Sequence, residues 1–120
     1  MQNAYFKTML GISKCPLAPE QMISVKNRVS MPNHDVQATE AWAIGILLLS
    51  MATLSSEEMI YDWRNSVIDE RGLKNQLIEV KEKFSPLFSD LVSKCLDFDP
   101  NNRPILSQIL TFLAKRKQEV

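Results

Sequence analysis

The longest apolar block in the chain runs from Thr39 to Leu54, Thr-Glu-Ala-Trp-Ala-Ile-Gly-Ile-Leu-Leu-Leu-Ser-Met-Ala-Thr-Leu. Between Ala41 and Leu54 only Ser50 and Thr53 are polar, and nothing is charged. Apolar residues on every side of a helix are the pattern of a helix enclosed by others, so this stretch is predicted to be a central post with Trp42, Ile44 and Leu48 in the core. Thr39 is its expected N-cap, with Glu40 in the first turn. Fourteen residues at the helical rise span roughly 21 Å, short of the ~30 Å hydrocarbon core of a bilayer, so a membrane span is not expected.

Amphipathic stretches flank this post. Pro19 suits a first helical turn leading into Gln21–Val25, and Glu20 lies where the helix dipole favours a carboxylate. Asn27 to Asp35 is polar, contains Pro32 and reads as a connector. Ser55-Ser56-Glu57-Glu58 resembles a helix start, followed by Met59, Ile60, Trp63 and Val67 at helical spacing. Arg71-Gly72 breaks that pattern, and Leu73, Leu77, Ile78 and Val80 mark a short helix after it. Ser85-Pro86 opens the next element, whose stripe is Leu87, Phe88, Leu91, Val92, Cys95 and Leu96, with Ser89, Asp90, Ser93 and Lys94 opposite. Asp97 to Asn102 is a turn cluster around Pro100. Pro104 then starts a last helix with the stripe Ile105, Ile109, Leu110, Phe112 and Leu113. No useful run of strand alternation occurs. The expectation is an all-α domain with helices near 39–54, 86–97 and 103–115 and shorter ones after Glu20, Ser56 and Gly72.

Composition adds limits. The chain has 120 residues, 45% hydrophobic and 23% charged, enough for one domain or part of a larger one. Net charge is zero, which gives no overall field for nucleic acid or an acidic membrane surface. The charge is uneven: +3 over residues 1–31, −6 over 32–70 and +3 over 71–120. The plain reading of the acidic middle is a solvated face. Cys15, Cys95 and the single His34 match no metal spacing, so free thiols in a reducing compartment are expected. The N-terminal residues lack the apolar run of a signal peptide, and cytoplasmic is the default. Lys115-Arg116-Lys117 suits a helix C-terminus, and solvation is its plainer role.

Three pieces then occur together. Ala18-Pro19-Glu20 resembles the A-P-E that ends the activation segment of protein kinases. Glu40-Ala41-Trp42-Ala43-Ile44-Gly45-Ile46 is similar to the opening of the kinase F helix. Leu91 to Pro104, with Asp99-Pro100 followed by Arg103-Pro104, resembles the stretch joining the H and I helices. The order and approximate spacing are those of the C-terminal half of a kinase C-lobe, over roughly residues 11–114. The resemblance implies a partial kinase-like C-lobe. Its expected divisions are a loop over 1–17 like the end of an activation segment, a helical domain over 18–115 and a tail over 116–120.

The resemblance also implies residue roles. In the family the A-P-E glutamate pairs with the R-P arginine, here Glu20 with Arg103; the alternative is two unrelated surface charges. Met59, Ile60 and Trp63 lie where kinases place the G helix, a docking surface in that family, with core packing as the plainer reading. The chain departs from the family at Glu40, where kinases have aspartate, at Gly11-Ile12-Ser13, which only loosely matches the G-T before A-P-E, and at Pro16, where a tyrosine is usual. The sequence contains no Gly-rich phosphate loop, no strand lysine, no H-R-D and no D-F-G, the parts that perform phosphoryl transfer. His34-Asp35 follows A-P-E and so lies outside the catalytic loop position. The expectations are therefore a catalytically incompetent helical module, with no catalytic, cofactor-binding or metal-binding residues. It would use no cofactor of its own and would bind a protein partner over the face that a half-lobe leaves exposed. No role with nucleic acid or membrane is expected, and a cytoskeletal or other large assembly is one setting. The alternative is the C-terminal part of an active Ser/Thr kinase that would use ATP and magnesium.

Overall fold

A computed structural model of the protein describes residues 17–28, 35–54, 60–62 and 64–119, the last four by backbone alone. Five α-helices, one 3-10 turn and one small hairpin follow in order. They are α1 (Pro19–Lys26), α2 (Val36–Thr53), β1 (Tyr61–Asp62), β2 (Val67–Ile68), α3 (Glu70–Lys83), α4 (Pro86–Cys95), the turn Pro100–Asn102 and α5 (Leu106–Glu119). The domain is all-α in class, with α2 packed against α3, α4 and α5.

Helix α2 starts earlier than its sequence suggests. Its N-cap is Asp35, whose carboxylate accepts from the Gln37 and Ala38 N–H groups at 2.9 and 3.3 Å. Thr39 lies inside the helix and turns its hydroxyl back to the Val36 carbonyl. The result is 18 residues, Val36–Thr53, rather than the expected 39–54, and by length and composition alone α2 could cross a membrane. Nor is α2 enclosed on all sides. Trp42, Ile46 and Leu49 are buried and Ile44 and Leu48 half-buried, but Leu47, Met51 and Leu54 are 58, 64 and 92% exposed. Hydropathy is uniform around this helix and so carries no sign of which side has neighbours.

The expected helix after Ser56 is replaced by a hairpin where the chain is described; Met59 and Trp63 themselves lie outside the described residues. Strands β1 and β2 are antiparallel, Tyr61 opposite Ile68 and Asp62 opposite Val67. The Asp62 carboxylate accepts from both the backbone N–H and the side-chain Nδ2 of Asn65, closing the turn locally. Those bonds hold the Asp62 carboxyl below its ordinary pKa. Ser66 takes the left-handed conformation at φ 55°. The period-four spacing of apolar residues is met here by a turn that brings Ile60 inward.

Helix α3 runs straight through Gly72 rather than starting after it. Asp69 is the N-cap and takes the Gly72 N–H at 3.0 Å, one of the first-turn donors that has no partner within the helix. Leu73, Gln76 and Val80 face inward, while Ile78 is exposed. Helix α4 ends at Cys95 and is capped by Ser85, whose hydroxyl accepts from the Phe88 N–H. Ser89, expected on the outer face of α4, is buried and bonds the Pro86 carbonyl. Helix α5 begins at Leu106 and continues to Glu119, past the point where a tail is expected. In its stripe Ile109 is buried, whereas Ile105 and Leu110 are exposed.

Helices α2 and α4 approach closely at Gly45. A methyl group there would lie 2.7 Å from Cys95 Cβ and 2.8 Å from Leu96 Cδ2, inside contact distance. Glycine is what lets the two backbones meet. Two apolar clusters result, one on each flank of α2. The larger joins Leu17, Met22, Trp42, Ile60, Tyr61, Leu73 and Val80, among others, and the smaller joins Ala41, Leu91, Cys95 and Ile109.

Candidate functional site

The most highly connected polar group in the described chain is Arg103. It sits just after the Pro100–Asn102 turn, whose N-cap Asp99 takes the Asn101 N–H at 2.9 Å. Helix α1 supplies the partner. Its N-cap, Ala18, has no side-chain oxygen, and the Ala18 N–H donates instead to Gln21 Oε1 at 2.9 Å. This starts the helix at Pro19 and puts Glu20 in the first turn.

Glu20 and Arg103 meet as a two-pronged pair. Arg103 Nη1 donates to Glu20 Oε2 at 2.7 Å and Nη2 to Oε1 at 2.8 Å. The remaining donors are also used: Nε bonds the Asp97 carbonyl at 2.8 Å, Nη1 also reaches the Ala38 carbonyl at 3.0 Å, and Nη2 reaches the Phe98 carbonyl at a long 3.5 Å. The guanidinium lies 5.2 Å from the Trp42 ring centre, and Phe98 meets the same ring edge-on at 5.7 Å. The Arg103 side chain is fully screened, and that of Glu20 is 20% exposed. One cation thus joins α1, the start of α2 and the turn before α5. A planar fork with five donors can do this, and an ammonium cannot.

Beside it runs a second buried chain of bonds. Trp42 Nε1 donates to Tyr61 Oη at 2.8 Å, and Tyr61 Oη donates to the Leu17 carbonyl at 2.7 Å. Tyr61 therefore ties the hairpin to α2 and to the segment before α1. Its role has no motif, and the signal that could have found it is an aromatic with a polar tip at the start of a short strand.

The other sequence-marked residues separate. Ile60 is 1% exposed and belongs to the core, so it offers nothing to a partner surface. Met59, Trp63, Cys15 and His34 lie outside the described residues. Cys95 is buried, and burial pushes its thiol up to about 11, against a smaller opposing pull from Arg103. At neutral pH it is an inert thiol. Among the described residues no group of three or more His, Cys, Asp or Glu could hold a metal ion. Asp97 and Asp99 each bond a backbone N–H of their own turn.

The arrangement is a structural clamp that fastens α1, α2 and the turn before α5 together. The chain is 29% identical over 97 residues to the MAP kinase kinase kinase wis4 of Schizosaccharomyces pombe, over 79% of this chain and 6% of that protein. The similarity is weak and points to a kinase-related region, and the chain spans only a small part of its relative's length. No family model matches.

Proposed function

We propose that this chain is a protein-kinase-like helical module without phosphoryl-transfer chemistry of its own. In this reading it is a cytoplasmic structural or protein–protein interaction element within a larger assembly. The observation that carries it is the bare side of α2. Leu47 and Met51 follow one another at i and i+4 on a helix whose other side is core, Leu54 caps its end, and exposed apolar surface of that kind marks an interaction face. The wholly satisfied clamp on the buried side keeps α2 in place whether or not the bare side is covered. No nucleic acid, membrane or cofactor enters this reading. A second reading is favoured by the similarity to wis4: the chain is the C-terminal part of an ATP-dependent Ser/Thr kinase, and earlier kinase sequence covers the same face in cis.

Native and denaturing size measurements on the tagged product separate the two. The first reading expects a 13.7 kDa polypeptide that elutes in a larger complex. The double substitution Leu47→Glu, Met51→Glu should release it from that complex. It expects neither ATP–magnesium binding by calorimetry nor phosphoryl transfer. A polypeptide long enough to carry H-R-D and D-F-G, with ATP-dependent activity, would decide for the second.

A further inference from the structure

On a different side of the molecule, α1 packs against β2 and the seam between them stays open at the surface. Along that seam runs a groove of about 340 Å³, within the usual size range of binding clefts. Met22 and Ile23 of α1 form one wall, Val67 of β2 the other, and Phe98 closes one side. Ile23 and Phe98 are 59 and 38% exposed, so the apolar walls reach the surface. Two charges line the groove. Lys26 is in the last turn of α1 and Glu70 in the first turn of α3. Both are exposed, and they are opposite in sign.

We propose that this groove is a docking site for a short extended segment of a partner protein, apolar in its middle, with an acid at one end and a base at the other. The argument is complementarity. An apolar side chain entering between Ile23 and Phe98 removes surface from water on both, and Met22 below it is an adaptable floor. An acid and a base flanking that side chain meet Lys26 and Glu70. Any other charge pattern sets a like charge against one side of the rim. Rim pairs of this kind fix orientation more than they add affinity, so binding is weak and selective for charge pattern. The groove is separate from the bare side of α2, so its failure would leave the α2 reading intact.

The test uses the whole chain, isotope-labelled for amide NMR, and the peptide acetyl-Asp-Leu-Phe-Leu-Lys-amide as probe. Two control peptides carry acids at both ends or bases at both ends. The mixed-charge peptide should move the amide signals of Ile23, Lys26 and Val67 and should bind about 3- to 10-fold tighter than either control. Lys26→Glu leaves two acids on the rim and should switch the preference to the doubly basic peptide. Ile23→Ser, at an exposed position, should weaken all three peptides without changing their order. Several results would overturn the proposal: no shifts at millimolar peptide, shifts centred on Leu47–Leu54, equal affinity for the three charge patterns, or no switch in a folded Lys26→Glu protein. Self-association of the chain through these residues without peptide would assign the groove to a second copy and overturn it too.

Discussion

The two sides of α2 are built on opposite plans. On the clamp side every donor of Arg103 has an acceptor, Trp42 lies beneath the guanidinium, and Tyr61 completes the hydrogen bonds of its neighbours. On the far side Leu47, Met51 and Leu54 touch little protein. The clamp side is therefore intolerant, because removing any member leaves a buried polar group without its partner. The far side is permissive, since a change there removes surface that water already covers. Stability of the isolated chain should be concentrated on one face of a single helix, and substitutions on the two faces measure that.

The largest effect is expected at Arg103. Arg103→Ala leaves the Glu20 carboxylate and the Ala38 and Asp97 carbonyls without their donor, a change of about 3–5 kcal/mol. Thermal denaturation followed by circular dichroism should show a midpoint lower by about 10 °C or more. Arg103→Lys should recover only part, because an ammonium cannot meet both carboxylate oxygens and the Asp97 carbonyl in one plane. A neutral Arg103→Ala would break the contrast between the two sides.

Tyr61→Phe comes next. It strips the acceptor from Trp42 Nε1 and the donor from the Leu17 carbonyl, for about 2 kcal/mol in urea unfolding. Gly45→Ala should follow at about 1 kcal/mol net. Crowding against Cys95 and Leu96 works against the chain, and the better helix propensity of alanine offsets part of it. The smallest effect belongs to the far side. Met51→Gln should stay within about 0.5 kcal/mol of the parent, and a larger loss would mean that this face is packed in solution.

These differences also separate what was legible in the sequence from what was not. The Glu20–Arg103 pair could be read because each charge sits beside a proline inside a recognisable motif. Helices α4 and α5 could be read from their apolar stripes. The N-terminus of α2 could not, since Thr39 and Asp35 are both good caps and only the fold chooses between them. The hairpin was hidden because Ile60 and Val67 fall at a spacing that suits a helix equally well, and the deciding bonds come from Asp62 to Asn65. Gly72 reads as a breaker until Asp69 is seen to hold its N–H. The bare side of α2 left no trace, as an apolar residue carries the same hydropathy whether or not anything covers it. At the site, the arginine clamp was visible and Tyr61 was not, because a lone tyrosine has no partner along the chain to announce it.

The contact between Tyr61 and Trp42 has an optical consequence. With the phenol oxygen 2.8 Å from the indole nitrogen, excitation absorbed by Tyr61 passes to Trp42 before the phenol can emit. In a Tyr5→Phe, Trp63→Phe background, which leaves one tyrosine and one tryptophan, light absorbed by Tyr61 should leave the folded chain as blue-shifted indole emission. Unfolding should separate the rings, restore the tyrosine band and move the indole band to the red. The ratio of the two bands then reports, in one cuvette and without any label, whether the hairpin is still fastened to the central helix.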